Sequence, residues 1–216
     1  MIGFGSRSVV SEGPADPKGF QESFDEFYTR TARLYDLAVK VLPVWKTWLK
    51  QALPYIQGQR VLEVSFGTGY LLMQYASRFE THGVDLNARM VAVARRNLEK
   101  SGIHADLKQG NVEQLPYADE YFDTVIDTMA FSGYPDGARA VSEIRRVLKP
   151  GGRLVLIDVN YPTDRNWLGM RLIGFWQYLG DIVRDIGKLL EDRGFDCEDR
   201  EIGGFGSVHI YVCQRR

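Results

Sequence analysis

The run Val61-Leu62-Glu63-Val64-Ser65-Phe66-Gly67-Thr68-Gly69-Tyr70 carries the plainest chemical signal in the chain. An apolar segment of strand type passes straight into Gly-Thr-Gly and then into a helical pattern. Glycine there lets a ligand meet the backbone where a side chain would stand in the way. Such a turn implies a cofactor at the carboxyl edge of a sheet. It is not a dinucleotide fingerprint, because GxGxxG would need glycine at 65, 67 and 70, and Ser65 and Tyr70 occupy two of those places. No GxxxxGK[ST] phosphate loop occurs either. About twenty residues further on, Gly83-Val84-Asp85-Leu86 ends a second strand-like run on a carboxylate, and a carboxylate at that spacing can accept hydrogen bonds from both hydroxyls of a ribose. A third element, Gly110-Asn111-Val112, offers an amide side chain and a backbone N–H that suit the edge of an adenine.

Other chemistries are poorly represented. The three histidines, His82, His104 and His209, fall in no catalytic pattern and read as structural or surface residues. No Ser/His/Asp arrangement, paired carboxylate motif or Cys/His cluster of zinc spacing is present, so no metal is expected. Cys197 and Cys213 are the only cysteines; they fit two free thiols in a reducing cytoplasm, although a disulfide is conceivable. The 216 residues hold 27 Lys plus Arg against 28 Asp plus Glu, and this balance provides no field to attract nucleic acid. Apolar stretches are broken well short of the ~20 residues of a spanning helix. The start lacks a basic then apolar leader, so the expected location is cytoplasmic.

These candidate residues need a sheet to position them. Residues 1–19 read as a mobile tail and 20–59 as a helical cap, in which Phe24, Phe27, Tyr28, Leu34 and Tyr35 recur at helical spacing until Pro43 interrupts. From residue 60 onward strand and helix patterns alternate: RVLEVS, ETHGVD, ADLKQGN, YFDTVIDT and GRLVLID as strands, with helices between them. The helix ARMVAVARRNLEK closes at Gly102, and Lys149-Pro150-Gly151-Gly152 reads as a turn ending the helix DGARAVSEIRRVL. Alternation of this kind predicts an α/β fold, a mostly parallel doubly wound sheet with helices on both faces. DCEDREI and SVHIYVCQ, separated by GGFG, predict a C-terminal antiparallel hairpin, with the two cysteines near each other across it.

The order VLEVSFGTG, GVDLN, GNVEQLPYADEYFDTVI and EIRRVLKPGGRLVLID resembles the class I S-adenosylmethionine-dependent methyltransferases, and most closely the branch that includes the ubiquinone and menaquinone C-methyltransferases. The likeness covers about Arg60 to Asp158 and implies a Rossmann-like sheet of seven strands, completed by the hairpin, in a domain spanning 60–216. It further implies S-adenosyl-L-methionine as cofactor. Glu63 would set its methionine amino end, and Gly67, Thr68 and Gly69 would lie under its methionine and ribose, with Ser65, Phe66 and Leu86 beside them. Asp85 would hold the ribose, Asn111 and Val112 the adenine, and Met129 the amino acid end. Ser65 replaces a usual glycine and Asn111 a usual aspartate; both substitutions predict weaker affinity, not loss of binding.

A sulfonium methyl group is already electrophilic, so such a protein needs chiefly alignment of its acceptor. Acceptor choice then falls to elements outside the cofactor motifs: the N-terminal helices, the segment after the fourth strand and a cap segment at 160–185. Tyr28, Tyr35, Phe131, Tyr134 and Trp167 are the candidate acceptor contacts, and their aromatic character suits a small, planar or lipophilic molecule as well as ordinary packing. The apolar run WLGMRLIGFWQYLGDIV reads as a lid or core helix, or as a peripheral membrane contact flanked by Arg165, Arg171 and Arg184. Two other functions stay open: a cofactor-binding module without catalysis, and a transferase moving another part of the same cofactor.

Overall fold

The computed structural model describes residues 43–216, together with Pro14, Asp16 and Gly19. Most of the tail, the first helix expected in the cap and the candidate contacts Tyr28 and Tyr35 lie outside the described residues. Seven strands form one sheet: β1 Arg60–Val64, β2 Glu80–Asp85, β3 Asp106–Gln109, β4 Phe122–Thr128, β5 Leu148–Val159, β6 Phe195–Gly203 and β7 Val208–Arg215. Their order is β3-β2-β1-β4-β5-β7-β6, with the first five parallel and β7 antiparallel to both its neighbours. The α/β class, the parallel sheet and the terminal hairpin therefore stand as the sequence predicts. Strand order reverses between β1 and β4, and that crevice at the carboxyl ends is where open α/β sheets bind ligands.

The helices are α1 Pro43–Lys50, α2 Leu72–Tyr75, α3 Ala88–Lys100, α4 Gly137–Val147, α5 Trp167–Tyr178 and α6 Ile186–Glu191. Alternate residues of each central strand feed opposite cores, as the period of two requires. Leu62, Val64, Leu154 and Leu156 pack beneath α4 and α6 with Ile144 and Leu190; Val61, Val155 and Ile157 face the other way, toward Leu49 of α1, Leu72 of α2 and Leu98 of α3. Burying both faces explains why these strands read as continuous apolar runs. Asn87 caps α3, its side chain accepting from the amides of Arg89 and Met90, and Gly102 takes φ +66° just past the helix end.

The helix after Gly69 is short, one α turn followed by a 3-10 turn at Ala76–Arg78. Two expectations need correction. The Lys149-Pro150-Gly151-Gly152 run is no separate turn but lies inside β5, where the register with β4 shifts between Phe122 and Thr124 and Gly151 supplies φ +72°. Cys197 and Cys213 are not free thiols: they are register partners in β6 and β7 and form a disulfide. Direct cross-strand opposition brings their Cα atoms within 4.0 Å, close enough for the bond.

Candidate functional site

Beyond β1 the backbone is left-handed at three of five residues: Ser65 at φ 51°, Gly67 at 55° and Gly69 at 78°. The two glycines do different work. A Cβ at Gly69 would lie 3.0 Å from the Ala94 Cβ and 3.1 Å from the Leu98 Cδ1, so that glycine lets the loop press on α3. A Cβ at Gly67 would meet nothing within 4 Å and would stand in an open cradle. Ser65 tolerates the conformation that usually favours glycine, and its Oγ lies 2.9 Å from the Tyr134 hydroxyl.

Asp85, at the end of β2, is 7% exposed and fixes this loop. Its Oδ2 accepts from the Gly67 amide at 2.8 Å and its Oδ1 from the Asn87 amide at 2.9 Å. After β3, Asn111 Oδ1 accepts from the Glu113 amide at 2.9 Å, capping the 3-10 turn Val112–Gln114. A cavity opens at the carboxyl edge between these elements. Ser65, Gly67, Asp85, Leu86, Asn111, Val112 and Met129, seven of the residues singled out for the cofactor, line it, as does Tyr134. The left-handed Met129, at φ 56°, turns the chain there and donates its amide to the Ile157 carbonyl.

The other candidates are elsewhere. Thr68 and Gly69 carry the loop behind the wall, and Phe66 packs into the core shared with α3. Glu63 points to the sheet face opposite Leu62 and Val64, where it accepts the Tyr75 hydroxyl at 2.9 Å; burial raises its carboxyl to about 8. Phe131 is fully buried against Tyr134, and Trp167 is 67% exposed at the start of α5; neither reaches the cavity. The structure adds wall residues that sequence motifs did not single out, including Asn87, Met90, Glu113 and Asp181. Asn87 was signalled by its capping position after the strand. Asp181 carried no local signal.

Behind Tyr134 lies a group of buried acids. Asp127 of β4 is completely buried, and burial together with Asp158 and Glu63 drives its carboxyl well above the ordinary range. Asp158 of β5 is pushed up by burial to about 6, restrained by the Ser132 and Val159 amides that donate to it. Acids with raised folded-state values stabilise the fold below the unfolded range near pH 4, and that stability is lost as pH climbs through the folded values. Asp127→Asn is thus expected to raise the thermal midpoint by several degrees at pH 8 and by less at pH 5, where only the first part of that stability has been lost. Equal midpoints at pH 8, measured by circular dichroism, would show that Asp127 ionises without cost.

A family model described as methyltransferase domain matches residues 62–156. The ubiquinone/menaquinone biosynthesis C-methyltransferase UbiE of Pectobacterium atrosepticum is 30% identical over 220 residues, covering 85% of this chain and 88% of the relative. The chain belongs to the S-adenosylmethionine-dependent methyltransferases. Within that family it is also similar to a phosphatidylethanolamine N-methyltransferase of Cereibacter sphaeroides, 38% identical over 104 residues that cover 47% of this chain and 51% of the relative. For several of the curated methyltransferases it matches, the chain spans about half to two thirds of their length. A solved S-adenosylmethionine-dependent methyltransferase of Thermotoga maritima, described as a possible histamine N-methyltransferase, superposes with a TM-score of 0.72 at 20% identity. It covers 88% of this chain and 99% of its own, and agrees in fold.

The methyltransferase cofactor fits the residues present. The open cradle at Gly67 admits a ligand against the backbone, and Asp85 supplies an acceptor for vicinal hydroxyls beside it. Asn111 and Val112 supply polar groups in the same wall, and Leu86, Met90, Met129 and Ala130 supply apolar surface for a ring.

Proposed function

We propose that this protein transfers the methyl group of S-adenosylmethionine to a small, lipophilic aromatic acceptor of the hydroquinone type. The observation that carries the reading is the cavity at the strand-order reversal, where the open Gly67 backbone and the Asp85 carboxylate face one space. In this reading Asp85 binds the ribose hydroxyls, Asn111 and the Val112 amide bind the adenine, and Gly67 with the Met129 segment flanks the methionine portion. When bound, the cofactor supplies an electrophilic methyl group, and the chain's task is to align an acceptor with it and exclude water.

The acceptor class is supported by two things. Relatives include enzymes named for ubiquinone and menaquinone biosynthesis and for a phospholipid. α5, which leads into the wall residue Asp181, and the β6–β7 tip present an apolar surface: Phe175 is 52% and Phe205 64% exposed, with Trp167, Leu168, Tyr178 and Leu179 also outward. Asn166 ties the two parts together by donating to the Phe205 carbonyl at 2.9 Å. Arg165 and Arg171 are exposed among them, so the surface suits a peripheral contact with anionic lipid, through which an apolar acceptor is collected. Among the described residues no helix is long and apolar enough to cross a membrane. A cytoplasmic site of action belongs to the same reading.

The test is methyl transfer to 1,4-naphthohydroquinone, free in solution or carrying a prenyl tail in phosphatidylglycerol vesicles. A product heavier by one methylene is expected with both. Trp167→Glu with Phe175→Glu should slow transfer to the vesicle-borne acceptor about tenfold and leave the soluble one unchanged. Equal rates with both acceptors would remove the membrane contact. A second reading, a cofactor-binding module without transfer, draws on Asn111, whose side-chain oxygen already serves the Glu113 amide. It predicts cofactor binding with no acceptor modified. A different added mass would instead mean transfer of another part of the cofactor.

A further inference from the structure

We propose that Asp181 is the general base of this site, taking the proton from an acidic hydroxyl of the acceptor so that the acceptor's ring carbon can attack the methyl group. The proposal rests on the methyl-transfer reading above.

Four ionisable side chains line the cavity among the described residues: Asp85, Glu113, Tyr134 and Asp181. Asp85 receives the Gly67 and Asn87 amides. Glu113, whose Oε1 accepts from the Asp136 amide at 2.9 Å, directly follows Asn111 and Val112, the positions read for the adenine and not for the acceptor. Tyr134 shares a hydrogen bond with Ser65, and burial keeps its hydroxyl protonated. Asp181 lines the cavity from a different segment, its carboxylate joined to Ser132 in the turn after β4 that also brings Met129, Ala130, Gly133 and Tyr134 to the wall.

The carboxylate is held in place. Asp181 Oδ1 accepts from the Ser132 hydroxyl at 2.8 Å, while Oδ2 has no partner among the described residues. Its main chain is pinned on both sides, by the Asp181 amide to the Trp176 carbonyl and the Ile182 amide to the Ser132 carbonyl. Ser132 is itself anchored by its amide to Asp158 Oδ2 at 3.0 Å. Such support fixes a reacting group more firmly than a loop alone could. Burial also raises the Asp181 carboxyl above the usual range, toward the neutrality at which a base works best. The charged group coupled to it is Asp158 from β5; Arg184, three residues further along, spends its guanidinium on the Phe131, Tyr134 and Pro135 carbonyls.

A neutral hydroquinone ring is a poor carbon nucleophile, and removing its hydroxyl proton delivers an electron pair to the ring. The proton passes to Asp181 Oδ2, the ring carbon bonds the methyl carbon, and the carbon–sulfur pair returns to sulfur. The ring hydrogen then leaves to solvent as a proton, restoring aromaticity, while Asp181 returns its own proton to the oxygen. One proton is released per methyl transferred.

The experiment compares wild type, Asp181→Asn and Asp181→Glu, with 1,4-naphthohydroquinone under argon as acceptor and S-adenosylhomocysteine affinity measured by calorimetry. In wild type kcat should rise with pH and level once Asp181 is ionised. Asp181→Asn should lower kcat about 100-fold or more, abolish that rising limb and change S-adenosylhomocysteine affinity less than twofold. Asp181→Glu should recover part of the rate and the limb. If Asp181→Asn keeps kcat within threefold with the same pH limb, or loses cofactor affinity in step with rate, Asp181 is not the base, and methyl transfer by another route stands. A wild type that neither binds S-adenosylhomocysteine nor methylates the probe overturns the underlying reading and the proposal with it.

Discussion

Asp85→Ala is expected to weaken S-adenosylhomocysteine binding by about 100-fold or more. Each hydrogen bond to a charged acceptor is worth roughly 1.5–3 kcal/mol, and a ribose offers two hydroxyls, so a loss near 3 kcal/mol corresponds to about two decades in affinity. The same carboxylate holds the Gly67 and Asn87 amides, so its removal also loosens the cradle and the start of α3. Asp85→Asn separates the two effects. It keeps one acceptor oxygen for the loop but loses the charge, and an intermediate loss of about tenfold is expected. Calorimetry measures both. Unchanged affinity in Asp85→Ala would make this carboxylate a strut for the turn and nothing more.

Gly67→Ala and Gly69→Ala impose similar backbone strain, about 1–2 kcal/mol for an L-residue held left-handed, yet their consequences should diverge. At Gly67 the added methyl group stands free of every protein atom within 4 Å, so folding survives with a midpoint a few degrees lower. The methyl group occupies the space a ligand needs, and cofactor affinity should fall about 30-fold or more, a loss of roughly 2 kcal/mol. At Gly69 it meets Ala94 and Leu98 at 3.0 and 3.1 Å, pressing on α3 and adding overpacking of about 1–3 kcal/mol to the strain. That variant should lose stability first. Thermal midpoints and cofactor titrations on the two proteins decide the matter, and parallel losses in both would show that Gly67 merely shapes the loop.

The sheet was legible because its chemistry is local. Runs such as RVLEV and GRLVLID bury both faces, and Asn87 and Gly102 mark the ends of α3 by capping chemistry that depends only on neighbours. Asp85, Gly67 and Asn111 could be placed at one edge because strand ends and turns set their positions. Glu63 was harder: its motif assigns it to the methionine end, but the period of two turns it away from the cavity wall and onto Tyr75. Phe131 and Trp167 misled for a similar reason, since aromatic identity does not say whether a ring lines a cavity, fills a core or meets solvent.

Asp181 was invisible for a deeper reason. It follows α5 in sequence, but its meaning comes from Ser132, which lies 49 residues earlier and is fixed by Asp158 of β5. Only the packing of the 180–185 segment against the turn after β4 makes those residues neighbours, through Ile182 and the carbonyls gripped by Arg184. The raised values of Asp127 and Asp158 have the same origin, because each carboxyl is removed from water by residues far away in the chain. The disulfide was foreshadowed by cross-strand adjacency but not by composition, which spoke for free thiols.

That the Gly67–Asp85 cavity is a site for S-adenosylmethionine is tested most directly by titrating the wild-type protein with S-adenosylhomocysteine in a calorimeter. The expected result is saturable binding of one ligand per chain, abolished by millimolar competing S-adenosylmethionine and weakened in Asp85→Ala. Absence of heat and of saturation at millimolar ligand, in a protein shown to be folded, would contradict it.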